Sequence, residues 1–152
     1  SRGQAWGIYG FLLSYLYTGD KTMVALSKRL ANYFLNRLPE DGVCHWDLAL
    51  GGSDARRDSS SAAIAVCGLL ELVKQLPVSD PDRARYQQWA MHIMSSLNKH
   101  YLMGINEPGN GLLKHSVYHL ASNKGVDECA SWGDYFYVEA LMRFSQSWKL
   151  YW

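Results

Sequence analysis

Apolar residues recur at three- and four-residue intervals through five stretches of the chain, the spacing of helices that bury one side. Residues 3–18 place Trp6, Tyr9, Leu13 and Leu16 together, which predicts a buried helix, and Thr18-Gly19-Asp20 supplies a stop. From 20 to 38, Asp20 is positioned to cap a helix with the apolar set Met23, Leu26, Leu30, Phe34 and Leu38. Lys21, Lys28, Arg29 and Arg37 fall largely off that face, and Pro39 ends it. Asp58-Ser59-Ser60-Ser61 opens a strongly apolar helix, Ala62 to about Leu76, whose Ala-rich turns allow a neighbour to come close. Ser79-Asp80-Pro81-Asp82 begins a fourth, through Tyr86, Trp89, Ile93 and Leu97 to about Tyr101. The fifth, about 131–148 and ending near Trp148, is expected to pack Trp132, Tyr135, Phe136, Val138, Leu141 and Met142.

Short connections at 19–20 and 77–79 alternate with long polar stretches at 39–57 and 103–130. Strand-like alternation is confined to Leu112–Leu120, which is expected to form a short extended segment but no sheet. The fold class is therefore all-α. Short turns alternating with long loops suit helical hairpins packed in a ring, one end tightly closed and the other carrying a binding site. No repeat of fixed period supports a solenoid.

Composition narrows the function. The 152 residues allow one folding unit or a piece of one, and 48% hydrophobic against 19% charged residues exclude disorder. Lysine plus arginine number 15 against 14 acidic residues, so the basic stripe of a nucleic-acid binder is missing. No apolar run is long enough for a membrane span. Cys44, Cys67 and Cys129 form no C-x-x-C pair, which argues against a disulfide framework or zinc site and for a reducing compartment. Six Trp and ten Tyr offer flat faces of the kind on which sugar rings stack. The sequence opens without Met on Ser1-Arg2-Gly3-Gln4-Ala5-Trp6, as a fragment would.

The ionisable residues leave alternatives open. Asp54 and Asp58 around Arg56-Arg57, and Asp127, Glu128 and Asp134, are spaced for paired-carboxylate chemistry or for helix capping. His45, His92, His100, His115 and His119 show no metal-ligand spacing, so neither metal nor other cofactor is expected. Ser59 to Ser61 lack a nucleophile elbow, and Gly3, Gly7 and Gly10 read as a close-packing face. The loop at 103–130 gathers His115, Tyr118, His119, Ser122, Asn123, Lys124, Asp127 and Glu128, suited to a polyhydroxylated or anionic ligand or to plain solvation. Arg2, one turn before Trp6, adds a cation beside a stacking plane.

Arg2-Gly3-Gln4-Ala5-Trp6-Gly7-Ile8-Tyr9-Gly10-Phe11 and Arg57-Asp58-Ser59-Ser60-Ser61-Ala62-Ala63-Ile64 are the first two of four motif blocks. Gly111-Leu112-Leu113 with Tyr118 is the third, and Gly125-Val126-Asp127-Glu128 followed by Trp132-Gly133-Asp134-Tyr135-Phe136 is the fourth. In this order they resemble the C-terminal part of the unsaturated glucuronyl hydrolases, glycoside hydrolase family 88. The resemblance implies the C-terminal half of an (α/α)6 barrel, with the N-terminal half and its catalytic aspartates upstream. It also implies a substrate with 4,5-unsaturated uronic acid at the non-reducing end of a lyase-derived oligosaccharide. In that family an aspartic acid protonates the C4=C5 vinyl ether, water adds at C5, and the hemiketal opens to release the sugar.

Carried over by residue, the resemblance makes Arg2, Trp6 and Tyr118 substrate contacts, with Gln4 and Asp58 behind them and Asp58 at a helix start. The sulfate-contacting Ser-x-x-Ser-x-Lys pattern of some members reads here as His119-x-x-Ser122-x-Lys124. Ser122 and Lys124 are then binding residues, with His119 in support. Asp127 and Glu128 are expected to hold the loop against the last helix. The implied location is the bacterial cytoplasm rather than the periplasm, and the implied partners are the oligosaccharide and the missing half or a second copy, with no nucleic acid or membrane. The other reading is a non-catalytic α-helical carbohydrate-binding or assembly module of the same fold.

Overall fold

The computed structural model describes residues 1–49, 55–147 and 149. Five helices run in order: α1 Arg2–Thr18, α2 Lys21–Leu35, α3 Ser59–Gln75, α4 Pro81–Ser96 and α5 Ser131–Ser145. A π-helical turn, Leu97–Tyr101, extends α4. Between it and α5 lies an antiparallel hairpin of β1 Ser116–His119 and β2 Lys124–Glu128. α3 sits between α1 and α5, while α2 backs α1 and α4 backs α3, so the helices form two layers.

The helix boundaries follow local chemistry. Asp20, Asp58 and Asp80 each accept a backbone N–H of the first turn of the helix they precede, filling donors that have no intrahelical partner. Gly19 ends α1 in the left-handed conformation (φ 72°), which costs glycine little. Every residue of α3 from Ser59 to Leu69 is buried, and Gly68 shows how closely α1 approaches. A Cβ there would lie 2.8 Å from Ile8 Cγ2 and 3.1 Å from the Tyr9 backbone nitrogen.

The buried faces differ from the spacing-based expectation in two helices. In α1 the core takes Ala5, Ile8, Tyr9 and Leu12, while Trp6 is 41% exposed and Leu16 is also exposed. In α5 it takes Gly133, Phe136, Tyr137, Glu139 and Ala140, leaving Tyr135, Val138, Leu141 and Phe144 exposed. Close packing on α3 selects the face that carries Ala5, Gly133 and Ala140 together with Tyr9, Phe136 and Tyr137, so Trp6, Tyr135 and Phe144 turn outward.

The chain also makes a sheet where none was expected. Val117 pairs with Val126 and His119 with Lys124, and a bulge follows Ser116. β2 has no apolar alternation, so its pairing is set by the reversal, in which Asn123 (φ 50°) and Gly125 (φ 52°) are left-handed. His115 and Asp127 are also left-handed, each with φ 64°, a conformation that costs a non-glycine residue on the order of 1 kcal/mol.

A buried polar network locks the helix layer. Arg143 donates from Nη1 to Glu71 at 2.8 Å, from Nε to Glu139 at 2.8 Å and from Nη2 to the Tyr9 hydroxyl at 2.6 Å. The Tyr9 hydroxyl donates to Glu139 Oε1 at 2.7 Å, so α1, α3 and α5 share one hydrogen-bonded cluster of a guanidinium, two carboxylates and a phenol. Burial, with Glu139 as its acceptor, pushes the Tyr9 phenol well above its ordinary pKa. Among the described residues no helix is long and apolar enough to cross a membrane.

Candidate functional site

The starts of α1, α3 and α5 meet at one end of the layer, where the two long loops gather. Ser1 Oγ donates to Ser61 Oγ at 3.0 Å, and the Trp132 indole N–H donates to Ser60 Oγ at 3.1 Å. The hydroxyls of Ser60 and Ser61 donate to the two oxygens of Asp58 at 2.5 and 2.6 Å. Asp58 is fully buried and is the α3 cap. Ser59 Oγ donates to the Lys114 carbonyl at 2.6 Å, and Asp134 accepts the Leu113 N–H at 2.9 Å, which ties the 103–115 loop to α3 and α5. The expectation that Asp127 and Glu128 hold the loop against the last helix is therefore corrected: Asp134 makes that tie. Asp127 instead faces His115 and Arg56.

Arg2 occupies the centre of this end. Its guanidinium carbon lies 5.1 Å from the Trp132 ring centroid, 5.4 Å from Trp46 and 6.0 Å from Tyr118. Each such contact contributes about 0.5–1 kcal/mol where water has access. Nη1 donates to the Val117 carbonyl at 2.7 Å and Nη2 to the Tyr118 carbonyl at 2.9 Å, while Asp58 Oδ2 is 3.9 Å from Nη1. The cation thus fastens β1 to the start of α1, and those nitrogens are already engaged. Arg2 thereby sets where the Tyr118 backbone stands.

The aromatic surface continues from there. The Tyr118 and Trp132 rings lie 5.9 Å apart at 52°. One turn along α1, the exposed Trp6 ring stands edge-on to Phe136 at 4.9 Å. Together they form a ridge of rings around hydrogen-bonding groups, suited to the apolar faces and hydroxyl edges of a sugar.

Ser122, Lys124 and His119 stand exposed at the hairpin tip. His119 Nδ1 accepts from the Ser122 N–H at 3.2 Å and from its hydroxyl at 2.8 Å, which places the ring proton on Nε2. Lys124 is the cross-strand partner of His119, so a cation and an imidazole N–H share one edge. Gln4 is turned away, donating to the Leu30 carbonyl on α2 at 2.9 Å. Asp54 and Trp148 lie outside the described residues.

Trp46 is the contributor that sequence reasoning passed over. It comes from the 36–58 loop, held where its N–H donates to the Arg56 carbonyl at 2.8 Å and His45 bridges Arg57. Its one signal was an isolated tryptophan between polar residues in a long loop. Among the described residues no group of three or more His, Cys, Asp or Glu is arranged to hold a metal ion.

No protein-family model matches the chain. It is 51% identical over 154 residues to the unsaturated chondroitin disaccharide hydrolase of Streptococcus pyogenes serotype M1, covering 100% of this chain and 38% of that protein. It is 40% identical over 153 residues to the unsaturated glucuronyl hydrolase of Bacillus sp. strain GL1, covering 100% and 41%. The crystal structure of the unsaturated glucuronyl hydrolase from Streptococcus agalactiae superposes with a TM-score of 0.93 at 52% identity, over 99% of this chain and 40% of that one. A variant of that enzyme, solved in complex with dGlcA-GalNAc6S, matches equally well. The chain thus spans about two fifths of the length of the curated relatives it matches, and its helices correspond to part of their α/α barrel. Identity across the whole chain and agreement of the backbone lead to one conclusion: this chain is homologous to the unsaturated glucuronyl hydrolases over about two fifths of their length.

Proposed function

We propose that this chain supplies one wall of the saccharide site of an unsaturated glucuronyl hydrolase. The substrate in this reading carries a 4,5-unsaturated uronic acid at the non-reducing end of a lyase-derived glycosaminoglycan or other polysaccharide oligosaccharide. The observation that carries it is the cradle of Trp46, Tyr118 and Trp132 around Arg2, with Trp6 exposed beside it. Trp6 and Tyr118 offer faces for the sugar rings, and Arg2 holds Tyr118 in place through its carbonyl. Lys124, with Ser122 and His119, offers a point charge and N–H or O–H donors to a sulfate or carboxylate on the second sugar.

The reaction begins with proton delivery to the C4=C5 bond by a carboxylic acid, followed by water addition at C5 and collapse of the hemiketal. That acid must be protonated when substrate arrives and must reach the bond. The described carboxylates at the cradle are already committed: Asp58 is buried under two serine hydroxyls, and Asp134 holds the Leu113 amide. The chain therefore binds and orients substrate, and the proton comes from the remainder of the barrel. The exposed α5 row of Tyr135, Val138, Leu141 and Phe144 is the face those other helices cover.

The test is a titration of the 152-residue protein with unsaturated chondroitin disaccharide, read by tryptophan fluorescence, with C=C absorbance recorded in parallel. Saturable quenching, weakened at least tenfold by Trp6→Ala, with constant absorbance is the expected result. Absence of any binding would overturn the saccharide reading. Turnover by the isolated chain at a rate normal for an enzyme would overturn the assignment of the acid.

A further inference from the structure

Beside the Trp46 loop lies a cavity of about 670 Å³ that is lined by none of the cradle's residues. It opens between that loop, the π-helical turn after α4 and the base of the hairpin, and the cradle makes no use of its side chains. Its chemistry is one of balanced pairs. Arg57 Nη1 lies 3.1 Å from Asp41 Oδ1, and Arg56 Nη1 lies 3.4 Å from Asp127 Oδ2. The Tyr101 hydroxyl donates to Asp41 Oδ2 at 2.8 Å, and His115 Nδ1 meets Asp127 Oδ1 at 2.5 Å.

Two guanidinium groups against two carboxylates leave no net charge with histidine neutral, so the cavity makes no strong demand for an ion. What it keeps is directional capacity. Arg56 engages Asp127 through Nη1, Arg57 engages Asp41 and the Val43 carbonyl through Nη1, and a guanidinium has five N–H donors. The carboxylates retain lone pairs, and the second ring nitrogen of His115 lies opposite the one engaged by Asp127. Donors and acceptors alternating around a neutral pocket suit a ligand whose own groups both give and accept, which is the chemistry of a polyol. The two residues that close the hairpin side, His115 and Asp127, are the pair held left-handed at φ 64°. Backbone strain of that kind concentrates at binding sites, where the surrounding contacts hold it.

We propose that this cavity binds a neutral, hydroxyl-rich sugar unit, as a saccharide site separate from the cradle. The saccharide reading of the cradle supplies only the ligand class; the geometry of the cavity stands without it. Arg56, Arg57, Asp41 and Asp127 carry the hydrogen bonds, and His115 positions Asp127.

The test is a two-dimensional NMR titration of the whole protein with the methyl glycoside of N-acetylgalactosamine and, separately, with inorganic sulfate. The side-chain N–H signals of Arg56 and Arg57 report on the cavity, and the indole signals of Trp46 and Trp132 report on the cradle. The glycoside is expected to move the arginine signals saturably, with affinity falling at least fivefold in Arg56→Gln and in Asp127→Asn. Arg56 is solvent-exposed, so the first variant leaves the core intact. Arginine signals that respond to sulfate and not to the glycoside would overturn the proposal in favour of an anion site. No response to either would overturn it outright. Movement of the cavity signals with silent indoles would leave this proposal standing while removing the saccharide reading of the cradle; the reverse pattern would do the opposite.

Discussion

Arg2 and Tyr118 lie 116 positions apart, yet Arg2 Nη2 donates to the Tyr118 carbonyl at 2.9 Å while the guanidinium carbon stands 6.0 Å from the Tyr118 ring. One side chain therefore fixes both the backbone and the ring of the residue expected to meet a sugar. Arg2→Lys keeps the charge but replaces a planar fork with a single compact ammonium, which cannot serve the Val117 and Tyr118 carbonyls together. We expect a loss of about 1–2 kcal/mol in urea unfolding and faster amide exchange in β1 than in α4. Unchanged exchange in β1 would show that the hairpin is held by other contacts.

Arg143 pairs with both buried carboxylates, Glu71 and Glu139, each at 2.8 Å. Arg143→Met removes the cation and leaves two carboxylates in the interior, a change that costs about 3–5 kcal/mol. For a chain of this size, a thermal midpoint lower by roughly 10 °C is expected. Lys21→Met on the exposed start of α2 serves as the control and should move the midpoint by less than about 1 °C. Equal shifts for the two variants would mean that the network contributes nothing specific.

Acidity reads the exposed pairs. The Lys28 ammonium, donating to Asp80, holds that carboxyl below its ordinary value; Lys114 does the same for Glu107, and the Thr22 hydroxyl for Asp20. Their contribution is complete above the ordinary carboxylate range, about pH 4, and is lost as the pH falls through the lowered values. For Lys28, burial works against the charge, but Asp80 and Asp82 outweigh it and its pKa is raised. Its contribution is complete below the ordinary lysine value and disappears as the pH rises through the raised one. Urea midpoints should fall at both extremes, and Asp80→Asn should flatten both limbs. A midpoint that rises on acidification below about pH 4 contradicts this account.

The thiols should separate by burial. Cys44 is buried and donates to the Asp58 carbonyl at 3.4 Å; burial, with the Asp58 charge beside it, pushes its pKa up to about 12. Cys67 donates to the Phe136 carbonyl at 3.3 Å and is pushed well above its ordinary value by burial. Cys129 is only partly buried. With an aromatic disulfide reagent at about pH 8, Cys129 should react in the folded protein and the other two only after unfolding. Two fast thiols in the native state would contradict the packing around α3.

The site was partly legible because its motifs are local. Arg2 and Trp6 share one helical turn, and the hairpin's polar density was visible in the run from His115 to Glu128. Neither the orientation of Arg2 toward two carbonyls nor the arrival of Trp46 from another loop has any local signature. Both depend on pairings separated by tens of residues. The hairpin was missed because Lys124–Glu128 carries no apolar alternation: left-handed residues at 123 and 125 make the turn, and tertiary contacts hold it.

By itself, the sequence determined which segments are helical and where each begins, since periodicity and the Asp20, Asp58 and Asp80 caps act within a few residues. Only the tertiary structure decided which face each helix buries. The small residues of α3 draw α1 and α5 in through Ala5, Ile8, Gly133 and Ala140, turning Trp6 and Tyr135 outward, because close packing depends on the shape of the neighbour and not on the hydrophobicity of the residue.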